Sequence, residues 1–487
     1  MSTSIRELEP KEVWNRFADI NGVPRPSKKE QKITAFMVDF GKKLGLETTS
    51  DATGNVIIRK PATAGLEHKK PIILQSHLDM VCQKNNDTVF DFDNQGIETY
   101  IDGDWVRAKG TTLGADNGMG VAAIMAILES KTIAHPAIEA LFTTDEETGM
   151  TGAKKLSSDA LKGEILLNLD TELDTEIEIG CAGGVDVSAY HDYSEEATPT
   201  DVVAYQLSIT GLLGGHSGME IHIGRGNANK IMNRLLLGQY EKHGLRLAHL
   251  HGGGLRNAIP REAEAVLTLP AENVAALKEA VETEWQRDLV DEYGVIEPNL
   301  KIEVKEEAMP TSLVPEEIQD NLVDALLACH NGVLRFIPHL PSIVETSSNL
   351  AIVEIVDGRA FFKVLVRSSR DTMRQYCVDT LEACFSMAGM KVTTDGAYPA
   401  WQPSPESEIV TLMEQVYKDL FAEDPKVQVV HAGLECSVIL SHCPGMDVVS
   451  FGPTLQSPHT PNERCFIPSV EKYWRLVLET LARTPKK

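Results

Sequence analysis

Basic residues are scarce in this chain. Its 46 lysines and arginines face 71 aspartates and glutamates, a formal net charge of -25 over 487 residues. Phosphate backbones and anionic headgroups repel such a polyanion, so neither nucleic acid nor a membrane surface is an expected partner. No apolar run approaches the roughly 20 residues of a membrane span. The opening ten residues lack a basic segment leading into an apolar core, so a cytoplasmic protein is expected. The cysteines (Cys82, Cys181, Cys329, Cys377, Cys384, Cys436, Cys443, Cys465) include no Cys-x-x-Cys pair. That spacing excludes a zinc-thiolate site and favours buried free thiols, leaving oxygen and nitrogen donors for any metal. The hydrophobic content of 42% fits a globular chain, and the length exceeds one core, so two or three domains are expected.

What the sequence does have begins with Pro71-Ile-Ile-Leu-Gln-Ser-His-Leu-Asp-Met80. This apolar, β-branched run predicts a buried strand of a parallel sheet. Alternation along it points His77 and Asp79 to one side and turns Leu78 back into the packing. An imidazole can bind a metal through one ring nitrogen while a carboxylate accepts a hydrogen bond from the other. A single His-x-Asp pair is ordinarily only a hydrogen bond, so the metal reading needs more ligands.

Helical periodicity covers 11–46 around a turn at 21–27, followed by strands near 55–59 and 71–76 and a polar loop. Thr111-Thr-Leu-Gly-Ala-Asp-Asn-Gly-Met-Gly120 then leads into a helix with Val121, Ile124, Met125 and Leu128 on one face. Asp116 stands at its entrance, where an aspartate is usually an N-cap. A strand over 137–143 runs out into Asp145, Glu146 and Glu147, and another over 164–169 into Asp170. Ligands of parallel α/β sheets bind beyond the carboxyl ends of strands, so these acids and His77 are expected to meet in one crevice.

From about 185 to 398 the pattern changes to two successive β-α-β-β-α-β units, the first over 204–289 and the second opening with a strand at 300–305. This predicts an inserted domain with an antiparallel sheet covered by helices on one face. The first pattern then returns: a helix at 407–421, strands at 427–431 and 447–451, a Pro-rich loop carrying His459, and a closing helix at 469–482. The expected organisation is an α/β domain from 1–184 and 399–487 interrupted by an α+β domain over 185–398.

Together His77, Asp116, Glu147, Asp170 and His459 offer nitrogen and oxygen donors for two divalent ions, one carboxylate bridging. Zinc suits such a set, with manganese and cobalt as alternatives. Such ions activate water and polarise a scissile carbonyl. Glu146, beside a ligand but not needed as one, is placed to carry the proton from water to a leaving amine, so no Ser or Cys nucleophile is required.

The order His77-Leu-Asp79, Gly114-Ala-Asp-Asn-Gly118, Asp145-Glu-Glu-Thr-Gly149, Asn168-Leu-Asp170 and a late His459 resembles the co-catalytic zinc peptidases that include aminoacylases, carnosinases and carboxypeptidase G. Within that group the chain most resembles the bacterial aminoacyl-histidine dipeptidases over nearly its whole length. The resemblance implies a zinc-peptidase domain with a mostly parallel sheet and helices on both faces, plus a lid of two ferredoxin-like repeats. It implies that His77, Asp116 and Asp170 bind one zinc and Asp116, Glu147 and His459 the other. Asp79 then orients His77, Glu146 is the general base, and Asp116-Asn117 is an often cis peptide. Gly214-Gly-His-Ser-Gly218 matches the lid histidine, so His216 is expected to stabilise the oxyanion, and Asn257 of Asn-Ala-Ile-Pro260 to bind substrate.

In short-lid relatives an arginine for the substrate carboxylate follows the Asn-x-Ile-Pro strand. Here that strand ends at Thr268-Leu-Pro270 without one. Arg367 is assigned that task, with Arg370 as the alternative, and the carboxylate is expected near Arg367 and Gly433. Short-lid dimers pass the lid histidine between subunits, whereas a doubled lid can supply His216 within one chain, so monomer and homodimer both stay open. The expected activity is hydrolysis of unblocked dipeptides, Xaa-His and beta-alanyl-histidine among them. An N-acyl-amino-acid amidohydrolase or a tripeptidase would use the same metal site, and a metal-dependent binding protein without turnover is the reading outside enzymes.

Overall fold

The computed structural model describes residues 4–85, 87–338 and 340–487, so the first three residues of the opening segment lie outside the described residues. The chain divides into two compact units. The first comprises Met1–Cys181, Trp401–Val429 and Leu434–Lys487, the second Ala182–Ala400 and Val430–Gly433. Among the described residues no helix is long and apolar enough to cross a membrane.

An eight-stranded sheet organises the first unit, with spatial order Glu47–Ser50, Val56–Lys60, Ile138–Thr143, Ile72–His77, Ile165–Asn168, Asp447–Ser450, Glu176–Cys181 and Lys426–Val430. Its central four strands run parallel. Antiparallel strands flank them, so the sheet is mixed rather than parallel throughout. Strands 72–77, 138–143 and 165–168 are buried at every residue, as expected of continuous apolar runs covered on both faces. Because they run the same way, their carboxyl ends lie on one edge, and that edge carries His77, Asp145 to Glu147 and Asp170.

The helix Ala115–Glu129 is apolar all round and buried from Asn117 to Leu128, sharing its core with Trp14 and Phe17 of the helix Lys11–Asn21. It lies tightly on the strand ends. A Cβ at Gly120 would fall 2.3 Å from the Ser76 hydroxyl and 2.5 Å from the Leu169 carbonyl oxygen. Only glycine allows that approach, which brings the helix entrance and Asp116 against the segments bearing His77 and Asp170. The helix Ile467–Arg483 buries Val470, Tyr473, Trp474, Val477 and Leu481 at helical spacing. The stretch read as a polar loop contains a hairpin, Thr99–Asp102 with Trp105–Ala108.

The second unit is built on an antiparallel nine-stranded sheet, and its register revises the repeat reading. Strand Lys301–Glu306, expected to open the second copy, pairs with Val202–Thr210 and closes the first. The first copy thus has the order Lys301–Glu306, Val202–Thr210, Ala263–Pro270, Arg246–Gly252. The second copy starts before it, at Gly183–Asp192, and resumes with the helix Glu316–Ala328 and the strands Leu340–Val356, Arg359–Ser368 and Lys391–Tyr398. One ferredoxin-like unit is therefore inserted inside the other. Sequence spacing cannot reveal this, because the two copies share strand length and polarity and only pairing distinguishes their members. Residues 250–252 and 353–355 join the copies edge to edge.

Candidate metal centre

The loop after strand 72–77 turns the His77 ring with its Nδ1 3.2 Å from the Asp79 carbonyl oxygen and 3.4 Å from Asp79 Oδ1. Nδ1–H therefore donates to Asp79, and Nε2 faces Asp116 Oδ1 at 3.1 Å and Asp170 Oδ1 at 3.5 Å. Asp79, fully buried, also accepts from the Glu146 N–H (3.0 Å), the Glu147 N–H (3.2 Å) and the Ser27 hydroxyl (2.8 Å). One carboxylate thus orients the histidine and shapes the turn that bears both glutamates.

Asp116 presents its two oxygens in two directions. Oδ1 faces His77, and Oδ2 lies 3.1 Å from His459 Nε2, which is 3.0 Å from Glu147 Oε2. The donor atoms of His77, Asp116 and Asp170 lie within 4.8 Å of one another, as do those of Asp116, Glu147 and His459. Glu146 falls within the same reach of His77 and Glu147. The Asp116–Asn117 peptide is cis. Asp145 and His459 both adopt left-handed backbone, φ 54° and 61°, which costs about 1–3 kcal/mol for a residue with a side chain.

Glu147 Oε1 and Asp170 Oδ1 are buried without a hydrogen-bond partner. A buried orphan acceptor costs about 1–3 kcal/mol, and a divalent cation in each donor group would satisfy them. The electrostatics agree. Burial and the neighbouring Asp116 push Glu147 up to about 7. Despite burial, hydrogen bonds from His459 and His77 hold Asp116 well below the carboxylate range. Burial raises Glu146 well above its ordinary value, reinforced by Glu147 and Asp170 against His77. His459, lowered by burial, is nevertheless held up to about 11 by Asp116 and Glu147. Such a surplus of acids around two imidazoles fits divalent cations. The further acidic trio Glu30, Asp79 and Asp145 is instead occupied by its own backbone and hydroxyl donors, among them Asp145 N–H on Glu30 (3.1 Å) and Thr148 and Thr151 on Asp145.

The second unit assembles donors of its own. Two backbone amides, of Gly218 (3.1 Å) and Met219 (2.9 Å), donate to His216 Nδ1, which places the ring proton on Nε2. Arg367, 5% exposed, donates from Nη1 to the Tyr398 hydroxyl at 2.9 Å, and its Nε is buried without an acceptor. Arg370 is engaged by buried Glu345 at 3.6 Å. Asn257 is exposed in a turn where its carbonyl accepts from Ser217 N–H, and Gly433 lies in the 430–433 segment of this unit. His431 of that segment, buried, meets the Ser347 hydroxyl through Nε2 at 2.7 Å.

Sequence reading passed over Arg25, Glu463, Glu435 and His431. A single polar side chain in a loop, or at the first position of a helix as Glu435 is, carries no periodic signal. Only the coordinates reveal that each is buried.

A helical entrance at Asp116, parallel strands ending in acids and two clusters of His and carboxylate donors make a candidate divalent-metal centre. The family model for peptidase family M20/M25/M40 matches residues 73–483, and the chain belongs to that family. Cytosol non-specific dipeptidase of Escherichia coli (strain K12) is 43% identical over 485 residues, 100% of both chains. The crystal structure of aminoacylhistidine dipeptidase from Vibrio alginolyticus aligns with a TM-score of 0.85 at 42% identity, covering 100% of this chain and 99% of that one. A tripeptidase structure from Staphylococcus aureus, at 16% identity and TM-score 0.57 over 98% of each chain, shares the fold.

Proposed function

We propose that the protein is a cytosolic dipeptidase that uses two divalent ions, zinc by donor type, to hydrolyse unblocked dipeptides. The observation that carries the reading is the sharing of Asp116 between two ligand trios directly beside Glu146. Full-length likeness to a cytosol non-specific dipeptidase supports the substrate class and compartment.

His77, Asp116 and Asp170 would hold one ion, and Asp116, Glu147 and His459 the other. Such ions, when bound, would supply Lewis acidity for the water and the peptide carbonyl. Glu146 takes the proton from water and delivers it to the leaving amine, its backbone N–H pinned by Asp79 Oδ1. His216, protonated on Nε2, donates to the oxygen that gains charge. Arg367, with a buried Nε–H to offer, binds the free carboxylate, aided by Asn257 and Gly433. Its neighbour Arg370 is half exposed and lies 3.6 Å from Glu345, whereas Arg367 is buried with its Nε–H unused, which favours Arg367.

Beta-alanyl-histidine, Leu-Gly and N-acetyl-Leu test the proposal, using protein stripped by a chelator and reloaded with zinc, manganese or cobalt. Metal-dependent cleavage confined to the free dipeptides is expected. Cleavage of the acetylated substrate alone would reassign the protein to the amidohydrolases, and silence with every metal would reject the enzyme reading.

A further inference from the structure

Four consecutive backbone amides converge on one carboxylate in the first unit. Glu463 Oε2 accepts from the N–H groups of Leu113 (2.7 Å) and Gly114 (2.9 Å), and Oε1 from those of Ala115 (2.7 Å) and Asp116 (3.3 Å). Glu463 is 2% exposed, and its own N–H donates to the Thr460 carbonyl at 3.0 Å, in the turn that follows His459. The Gly114 carbonyl of the same 113–116 turn accepts from Arg25, whose guanidinium also donates to the carbonyls of Leu78 (3.2 Å) and Asp79 (3.1 Å).

We propose that Glu463, seconded by Arg25, is a positioning residue for the metal centre. It fastens the turn bearing Asp116 to the segment bearing His459, so that the two Asp116 oxygens keep facing different histidines. This rests on the reading of Asp116 and His459 as ligands. A carboxylate of this length supplies two acceptor oxygens with about four lone-pair sites, one for each amide. Glutamine supplies one such oxygen and turns an NH2 group toward two N–H donors. A partner that orients metal ligands typically alters metal affinity about 10–100-fold.

The test is a titration of chelator-stripped protein with Co2+, followed by visible absorption, for wild type and Glu463→Gln. The variant is expected to keep its circular dichroism and to bind Co2+ 10–100-fold more weakly. A folded variant with wild-type Co2+ affinity overturns the proposal and leaves the metal centre standing. A wild type that binds no Co2+ removes the metal-centre reading, and this inference with it. Should the variant not fold, hydrogen exchange on the wild type decides. The amides of 113–116 are expected to be protected and to gain protection with Co2+, and free exchange in the Co2+-loaded protein would refute the clamp.

Discussion

Gly218→Ala places one methyl group in the donor cluster of the second unit. An ideal Cβ there lies 2.1 Å from the His431 carbonyl oxygen, 3.0 Å from His216 Cε1 and 3.1 Å from Arg367 Nε. The first contact is with backbone, so it cannot be relieved by a rotamer change. The separation must grow by more than about 1 Å to reach ordinary van der Waals distance. Either the 216–219 turn or the 430–433 segment must move, and both carry residues proposed to meet the substrate. The first carries the amides that fix the His216 tautomer. Overpacking of this kind costs about 1–3 kcal/mol of stability. A 1 Å misplacement of aligned groups costs about 10²-fold in rate. The expected result is a folded protein with unchanged Co2+ binding and kcat/KM on Leu-Gly lowered about 100-fold. Wild-type kcat/KM in Gly218→Ala would refute the assignment of His216 and Arg367 to one working cluster.

Glu146→Gln removes the proposed proton carrier and leaves the donors of both proposed metal trios in place, so metal content by elemental analysis stays normal while kcat falls about 10²–10⁴-fold; full activity would cancel the general-base role. For Arg367→Ala, a lost charged hydrogen bond worth about 1.5–3 kcal/mol raises KM for free-carboxylate dipeptides roughly 10–150-fold, with much less effect on C-amidated ones. An equal effect on both substrates would remove the carboxylate clamp. His431 gives a pH dependence. Burial, together with the positive charge of Arg367, lowers it to about 3. The unfolded chain takes up that proton near 6.5 and the fold refuses it until about 3, so its contribution is complete above 6.5 and lost as pH falls. The loss runs at up to about 1.4 kcal/mol per pH unit. Urea unfolding between pH 7 and 5 should therefore weaken more steeply in wild type than in His431→Asn, and parallel profiles would contradict the burial of a neutral ring.

How much of this was legible beforehand differed by element. Strands 72–77 and 138–143 announced themselves because burial on both faces demands unbroken apolar runs. That these acids and His77 would meet was legible because acids closing several parallel strands must share an edge. The short strands Glu47–Ser50 and Glu176–Cys181 were missed; the first is largely exposed at the sheet edge, and the second carries two buried glutamates that resemble a polar loop. The nesting of the two ferredoxin-like units was hidden because it is a fact of pairing. Arg25 and Glu463 were hidden because their partners are backbone groups, which any sequence supplies.

One local oddity in the apolar strands did point to the site. Gln75 and Asn168 stand two residues before His77 and Asp170, buried among hydrophobic neighbours. Gln75 Nε2 donates to Glu435 at 2.6 Å, Asn168 Nδ2 donates to Gln75 Oε1 at 2.5 Å, and the Ser450 hydroxyl donates to Asn168. Thr171 continues the chain to Ser450 at 2.8 Å and to Glu178 at 3.1 Å. Each hydroxyl owns one proton. With Ser450 donating to Asn168, Thr171 must donate to Ser450, and the contact with Glu178 then needs a proton from Glu178 itself. Reversing both amides moves that requirement to Glu435. The row is satisfied by one carboxyl proton at one of its ends, in keeping with the burial that raises Glu178 to about 8 and Glu435 to about 7. A directional row of this kind links the strand ends below His77 and Asp170, and a register slip would leave several buried polar groups unpaired. The polar residues that weaken the apolar pattern are thus the ones that hold the adjacent strands leading to His77 and Asp170 level with each other.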